Sequence, residues 1–479
     1  MPELGLAMLL MVGLGIVLTG LPAAVVLITV AVMGATVSLL SGTVSLPILT
    51  ALPGRLVNLF ENDLMQALPL YVFMGLLLDR LPVADALYRT TLAVLPRGPA
   101  AQLMSGTVLG ALLGPMNGSV GASVLALSRV VAPRLAMHGV PEPTRAALVA
   151  VASTLGVVIP PSLVLILLGD AMLGAHTIAV TTTGRADRVI NTQDIFHGAL
   201  APAGLFLVLC LIAAWLVGRR LPARDKAPEE KPTTVQVLLA VLTVAFLLVL
   251  LGAVALGFFY AVEAAALGAF VLFTGGLVTG RLRGGVLRDV LAQAMATTGA
   301  LFALLIAATT LTLMLRILGT DKLVADWVTA LPGNELTVVA VVLFAIGLCA
   351  FVLDAFEIIF VIVPIVVPPL LIRVADARWV AVLLLLTLQT SFLLPPFGYA
   401  LMMVRGTLRY AGTVGPLVRA LMPFLIAQWI VLATVLLIPQ LAHIGEKEAK
   451  RITPNLSTEE INRRMQDMLT PIPDFEPPR

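Results

Sequence analysis

The sequence predicts an all-α polytopic membrane protein built from two inverted-topology repeats, and three observations predict it. Of 479 residues, 59% come from the set AVILMFWYC and 12% are charged, with a mean hydropathy of +1.04. That is more apolar surface than a water-soluble domain can hide. The apolar residues fall in runs of roughly 20, the length that crosses a bilayer as a helix. Finally, one shift of 235 residues aligns Pro160-Pro161 with Pro395-Pro396, Pro133 with Pro368 and Ser119 with Asp354.

Taken in order, single spans are expected at about 4–19, 23–40, 64–79, 147–175, 199–218, 235–256, 258–280, 290–317, 379–404 and 418–441. The runs 100–136 and 335–372 are long enough to enter and return, and polar or small residues interrupt each at its centre. They read as re-entrant helical hairpins, two further pairs of spans being the alternative. The stretch 219–234 (RRLPARDKAPEEKPTT) is Pro-rich and charged, and reads as a linker. It divides a first repeat, 1–218, from a second, 235–442, ahead of a polar tail, 443–479. Five spans and one hairpin per half is an odd number of crossings, so the second copy is expected upside down relative to the first.

Charge orients this arrangement. With the segment from Asp79 to Arg97 cytoplasmic, 17 of the 30 basic residues fall on the cytoplasmic side, 7 on the other and 6 in the tail after His443, as the positive-inside bias requires. Basic residues lie between spans, which argues against a nucleic-acid face. The first basic residue is Arg55, so a cleavable signal peptide is not expected. No Gly-Lys pair and no HExxH occur, so neither an ATPase nor a zinc protease is indicated. Cys210 and Cys349 stand alone in apolar runs, offering no disulfide framework and no zinc site.

The chemistry is expected where helices break at membrane depth. Around Gly114-Pro-Met-Asn-Gly-Ser-Val-Gly121, small residues and Pro115 free backbone groups, while Asn117 and Ser119 add side-chain oxygens; a kinked, closely packed helix is the bland alternative. Pro160-Pro161 and Pro395-Pro396 break the spans 147–175 and 379–404, with Thr154, Thr390 and Ser391 just before the breaks. Half-helix N-termini suit anions, and freed carbonyls suit small cations. Substrate contacts are therefore expected from Asn117, Gly118, Ser119, Gly121, Pro160, Pro161, Ser162, Gln389, Pro395, Pro396 and Gly398, and cation ligands from Ser119, Thr154, Gly156, Asp354, Thr390 and Ser391.

Asp354 is a carboxylate inside an apolar run, which must pair, bind a cation or hold a proton; Glu357, one turn away, could share that proton, and a helix end near the surface is the plain alternative. Glu263 lies near a span start and reads as structural, while Asp170 and Arg316 lie near span ends and can snorkel. No Lys or Arg falls at the hairpin centres or the Pro-Pro breaks, which favours a small monocarboxylate, such as a 2-oxo or 2-hydroxy acid, over substrates of higher charge. An ion-conducting or antiporter subunit of a larger complex is the competing class. It commonly needs a chain of intramembrane Lys, Glu and His, and none of the five lysines here lies in a span interior.

These residues also carry a resemblance. Ala67-Leu-Pro-Leu-Tyr-Val-Phe-Met-Gly75, Asn117-Gly-Ser-Val-Gly121, Leu155-Gly-Val-Val-Ile-Pro-Pro-Ser162, Glu263-Ala-Ala-Ala266, Leu353-Asp354 with Pro364 and Pro368, and Pro395-Pro-Phe-Gly398 together resemble the large membrane subunit of tripartite ATP-independent periplasmic (TRAP) transporters, from about Gly5 to Gln440. The chain departs from that pattern at Ser119-Val120, Tyr260-Ala261-Val262 and Leu394. The resemblance implies a sodium-coupled, elevator-type importer of organic acids in the bacterial inner membrane. It further implies a small four-helix membrane subunit and a periplasmic solute-binding protein as partners, and no cofactor besides sodium. The polar stretch from His176 to His197 is then expected to be either a docking loop for the binding protein or an insertion.

Overall fold

The computed structural model describes residues 2–42, 50–61, 63–95, 98–116, 119–185, 188–222, 231–255, 257–394 and 398–444, so Asn117, Gly118, Pro395 and Pro396 lie outside it. The first half contains α1 (Pro2–Thr19), α2 (Ala23–Leu40), α3 (Ala51–Glu61), α4 (Asp63–Arg80), α5 (Val83–Val94), α6 (Pro99–Leu113), α7 (Val120–Met137), α8 (Glu142–Val158), α9 (Leu163–Thr183) and α10 (Thr192–Gly218). The second contains α11 (Thr234–Ala255), α12 (Ala261–Val278), α13 (Gly285–Ile317), α14 (Thr320–Ala330), α15 (Glu335–Cys349), α16 (Ala355–Arg373, with a π turn at Ile358–Ile362), α17 (Ala377–Ser391), α18 (Tyr399–Thr407) and α19 (Val414–Leu437). Among the described residues, ten helices are long and apolar enough to cross a membrane.

Local chemistry explains where these helices start and stop. Ser119, Ser162, Asn191, Asn334 and Asp376 each accept a backbone N–H of the first turn that follows, satisfying donors that a helix start leaves open. Glu263 is structural, its Oε2 accepting the Tyr260 N–H at 2.9 Å. Four segments differ from the sequence reading. Part of the stretch Asp79–Arg97 is helical, as α5, because Val83, Ala84, Ala86, Leu87 and Tyr88 are buried; it meets the preceding helix at 64°. Most of His176–His197 is also helical, since α9 runs to Thr183 and α10 begins at Thr192. α3 and α14, each 11 residues, are too short to register as spans in a hydropathy reading.

α6 and α15 have 15 residues each, about 22 Å of helix, which is short of the roughly 30 Å hydrocarbon core. Each packs against elements of its own half as one arm of a hairpin, α6 with α7 and α15 with α16. Under the 235-residue shift α6 falls on α15, α7 on α16 and α8 on α17, all within a residue or two. The contacts are reciprocal as well. α2 packs on α13 where α4 packs on α12, and α7 packs on α18 where α16 packs on α9. Such exchange is what a two-fold relation between halves produces. On that relation a residue near the axis touches its own counterpart, and Gln389 Nε2 lies 3.4 Å from Thr154 Oγ1, exactly one repeat apart in sequence.

The two helices on this axis form the centre of the core. Every residue of α17 is buried, as is every residue of α8 from Ala146 to Val158. The first hairpin closes on α8 through backbone: a Cβ placed on Gly156 would lie 2.1 Å from Gly114 C and 2.4 Å from Gly114 O. Only glycine permits that approach. Charged groups tie the ends. Asp85 of α5 pairs with Arg89 and with Arg134 of α7, and Asp194 of α10 pairs with Arg188 and with Arg378 of α17.

Candidate functional site

The starts of α7 and α16 occupy repeat-equivalent positions, and the fold brings both to the wall of one cavity of about 340 Å³. Ser119 caps α7, its Oγ accepting the Ala122 N–H at 3.1 Å. Asp354 caps α16, its Oδ1 accepting the Ala355 N–H at 2.7 Å, while Glu357 Oε2 accepts the Asp354 N–H at 2.9 Å. Glu357 thus faces the backbone at the start of its own helix. Gly121 adds to the wall from α7, and Phe356 from α16.

α13 also lines the cavity, where Gln293, Thr297, Ala300, Leu301 and Leu304 follow the three- and four-residue spacing of one helix face. Val72 and Leu76 of α4 join it, and Phe392, Tyr399 and Met403 close the remaining side. Phe392 and Tyr399 meet edge to face, with ring centroids 6.3 Å apart. Among the described lining residues Asp354 is the only one with a charged side chain, and none is basic.

A second void, of about 20 Å³, lies beside the first hairpin and is lined by Gly114, Pro115, Ser119, Ser153, Gly156 and Ser162 among others. That volume holds one water or one small ion. Ser119 borders both cavities.

Of the residues singled out in sequence, Ser119, Gly121 and Asp354 reach the large cavity, and Ser119, Gly156 and Ser162 meet at the small one. Thr154 and Gln389 face each other on the axis between α8 and α17. Thr390 and Ser391 are buried and donate their hydroxyls to Leu386 O and Leu388 O. Gly398 precedes α18 and donates its N–H to Leu394 O at 2.8 Å. Pro160 and Pro161 border a third cavity, of about 180 Å³, whose wall is apolar, with Leu112, Leu207 and Leu247.

Sequence reasoning missed Gln293, Thr297, Phe356, Phe392 and Tyr399, together with Ser153 at the small void. A signal existed for the α13 pair, because two polar residues four apart within an apolar span share a face that lipid would reject. No comparable signal marks the aromatic residues, since a ring suits lipid, core and cavity alike.

Among the described residues the fold is helical and multi-span, with paired hairpins meeting at a partly polar cavity, an architecture suited to membrane transport. The family model described as "Tripartite ATP-independent periplasmic transporter, DctM component" matches residues 6–441, and the chain belongs to that family. It is therefore a TRAP transporter large permease, a multi-pass protein of the inner membrane and not an enzyme. It is 21% identical over 392 residues to the 2,3-diketo-L-gulonate TRAP transporter large permease protein YiaN of Escherichia coli, covering 81% of this chain and 87% of that one. The C4-dicarboxylate TRAP transporter large permease protein DctM of Pseudomonas aeruginosa is 23% identical, with 80% and 87% covered, and the ectoine TRAP transporter large permease protein TeaC of Halomonas elongata 25%, with 69% and 74% covered. Among solved structures, the YdaH transporter of Alcanivorax borkumensis shares the fold with a TM-score of 0.61 at 16% identity, over 81% of this chain and 86% of that one.

Proposed function

We propose that this chain is the transporting subunit of a sodium-coupled importer of small organic monocarboxylates that works with a small four-helix membrane subunit and a periplasmic solute-binding protein. The observation that carries the reading is the cavity of about 340 Å³, which residues of both hairpins and of α13 line together. Substrate held by hairpins that slide along a fixed helix would change its access from one side of the membrane to the other, which is the elevator mechanism. Ser119, Gly121 and Asp354 are the described cavity residues assigned to substrate and cation; Asn117, Gly118, Pro395 and Pro396 remain assigned on sequence alone.

Sodium is assigned to two places. The small void offers hydroxyl oxygens of Ser119, Ser153 and Ser162 beside the backbone of Gly156, the hard oxygen donors that a small cation needs. The second place is Asp354, with Thr390 and Ser391 on the neighbouring α17. No cofactor is proposed beyond the coupling ion. The absence of basic residues among the described residues of the cavity wall supports one carboxylate over two or three, because each further anion in a low-dielectric site needs its own compensation.

Reconstitution tests the reading. Uptake into proteoliposomes is expected only with all three components and an inward sodium gradient, and Asp354→Asn is expected to blunt the sodium response without blocking assembly. Robust uptake by the lone chain rejects the tripartite requirement. Equal uptake on a proton gradient alone removes sodium.

A further inference from the structure

The third cavity, beside Pro160 and Pro161, has a volume of about 180 Å³, and every described residue lining it is apolar. Ala111 and Leu112 reach it from α6, Leu207 from α10, and Leu247 and Leu248 from α11. An apolar cavity of about 150 Å³ stays dry and takes an apolar guest. This one also reaches the molecular surface, since Leu248 in its wall is 57% exposed while its neighbour Leu247 is 5% exposed. α11 packs chiefly on α5 and only lightly on α10, which leaves room for a crevice between α10 and α11.

We propose that an acyl chain of a bilayer phospholipid occupies this cavity. The surroundings of Leu248 decide the occupant. From Leu238 to Val249 the exposed positions of α11 are Leu238, Val241, Leu242, Ala245, Leu248 and Val249. Helix interfaces inside a bilayer are enriched in Gly, Ala, Ser and Thr, which let backbones approach closely. All but Ala245 are bulky here, which is a surface for lipid rather than for a partner helix. Depth fits a chain as well. Leu247 and Leu251 lie about 12 and 6 Å short of the Ala255 end of α11, and the exposed Phe258 and Tyr260 that follow suit the aromatic belt of a membrane interface. With no polar or charged side chain among the described lining residues, the site recognises the chain and not the headgroup. Pro115 borders both this cavity and the void of about 20 Å³, so a seated chain packs against the hairpin turn that walls the void.

The test is photolabelling in nanodiscs, on the chain alone and on the chain assembled with its small subunit. The probes are a phosphatidylcholine carrying a diazirine midway along one acyl chain and a phosphatidylglycerol with the same chain. Adducts are expected at Leu112 and Leu247, inside the cavity, as well as at Leu242, exposed on α11. Ala111→Leu and Leu207→Trp both fill the cavity, and they are made separately so that one misfolded variant does not end the test. Each is expected to lower labelling at Leu112 and Leu247 by about tenfold, what losing about two buried methylenes costs, and to leave Leu242 unchanged. Equal labelling by the two lipids is expected, and a clear preference for phosphatidylglycerol overturns recognition through the chain. Wild-type labelling at Leu242 without Leu112 and Leu247 overturns the proposal, as does cavity labelling that survives in both filled variants. Labelling that is present in the lone chain and lost in the assembled complex assigns this face to a partner helix and overturns it too.

Discussion

Gly156→Ala is the most informative single change, because its cost can be worked from geometry. The added methyl would sit 2.1 Å from Gly114 C and 2.4 Å from Gly114 Cα and O. Both partners are backbone, so no side chain can swing aside. To reach the 3.4 Å of ordinary contact, the first hairpin and α8 must part by about 1.3 Å along that line. Overpacking a well-filled core costs about 1–3 kcal/mol, and a backbone-to-backbone clash with no rotamer escape belongs at the top of that range, about 3 kcal/mol. Alanine's better helix propensity returns at most about 1 kcal/mol, so a net loss of about 2 kcal/mol is expected. The same displacement moves Gly114 and Ser119 away from Ser153 and Ser162, opening the small void. Thermal melting of the purified protein in detergent, with and without sodium, reads both effects. Gly174→Ala is the control, a helical glycine with nothing within 4 Å of the added Cβ. Wild-type melting and an intact sodium response in Gly156→Ala would refute the close crossing and its link to the cation site.

Two further outcomes follow from buried polar pairs. Arg378→Leu leaves Asp194, whose side chain is 11% exposed, with the exposed Arg188 and the Asn191 N–H as its partners. A loss of about 3 kcal/mol is expected, the low end for breaking a buried ion pair, and melting that recovers in Asp194→Asn/Arg378→Leu identifies the stranded charge as the cause; an unaltered single variant contradicts the pairing. Thr154→Val strands the Gln389 amide at the repeat axis, at a cost of about 1–3 kcal/mol. Adding Gln389→Met should restore part of that loss, whereas strict additivity in the cycle would show that the two side chains do not interact.

Much of this architecture is written locally and so could be read from the chain. Run length limits what can cross a bilayer, and interruption by Gly, Pro and hydroxyl residues marks where helices stop, which locates the hairpins at 100–136 and 335–372 and the breaks beside Pro160 and Leu394. The 235-residue shift is equally legible, since it compares the chain with itself, and it pairs Ser119 with Asp354, each of which caps a helix in the fold. The departures have physical causes too. α5 lies in a segment expected between spans because Asp85 and Arg89 fall within it, and these charges are tolerated on a buried helix because Asp85 pairs with both Arg89 and Arg134.

What only the tertiary structure decided is which apolar face meets what. In a bilayer, lipid and protein interior are equally apolar, so hydropathy cannot separate a leucine on the core of α17 from one facing lipid on α11. For that reason the sequence nominated Thr154 and Gln389 as site residues without showing that they meet each other on the repeat axis. It likewise flagged the glycines of the first hairpin without showing that Gly114 rests on Gly156. The α13 part of the cavity wall shows in the chain only as two polar residues four apart within an apolar span, with nothing to say what they meet. Gln293 and Thr297 are separated from Ser119 by more than 170 residues, and only the packing of α13 against the rest of the fold brings them to one cavity.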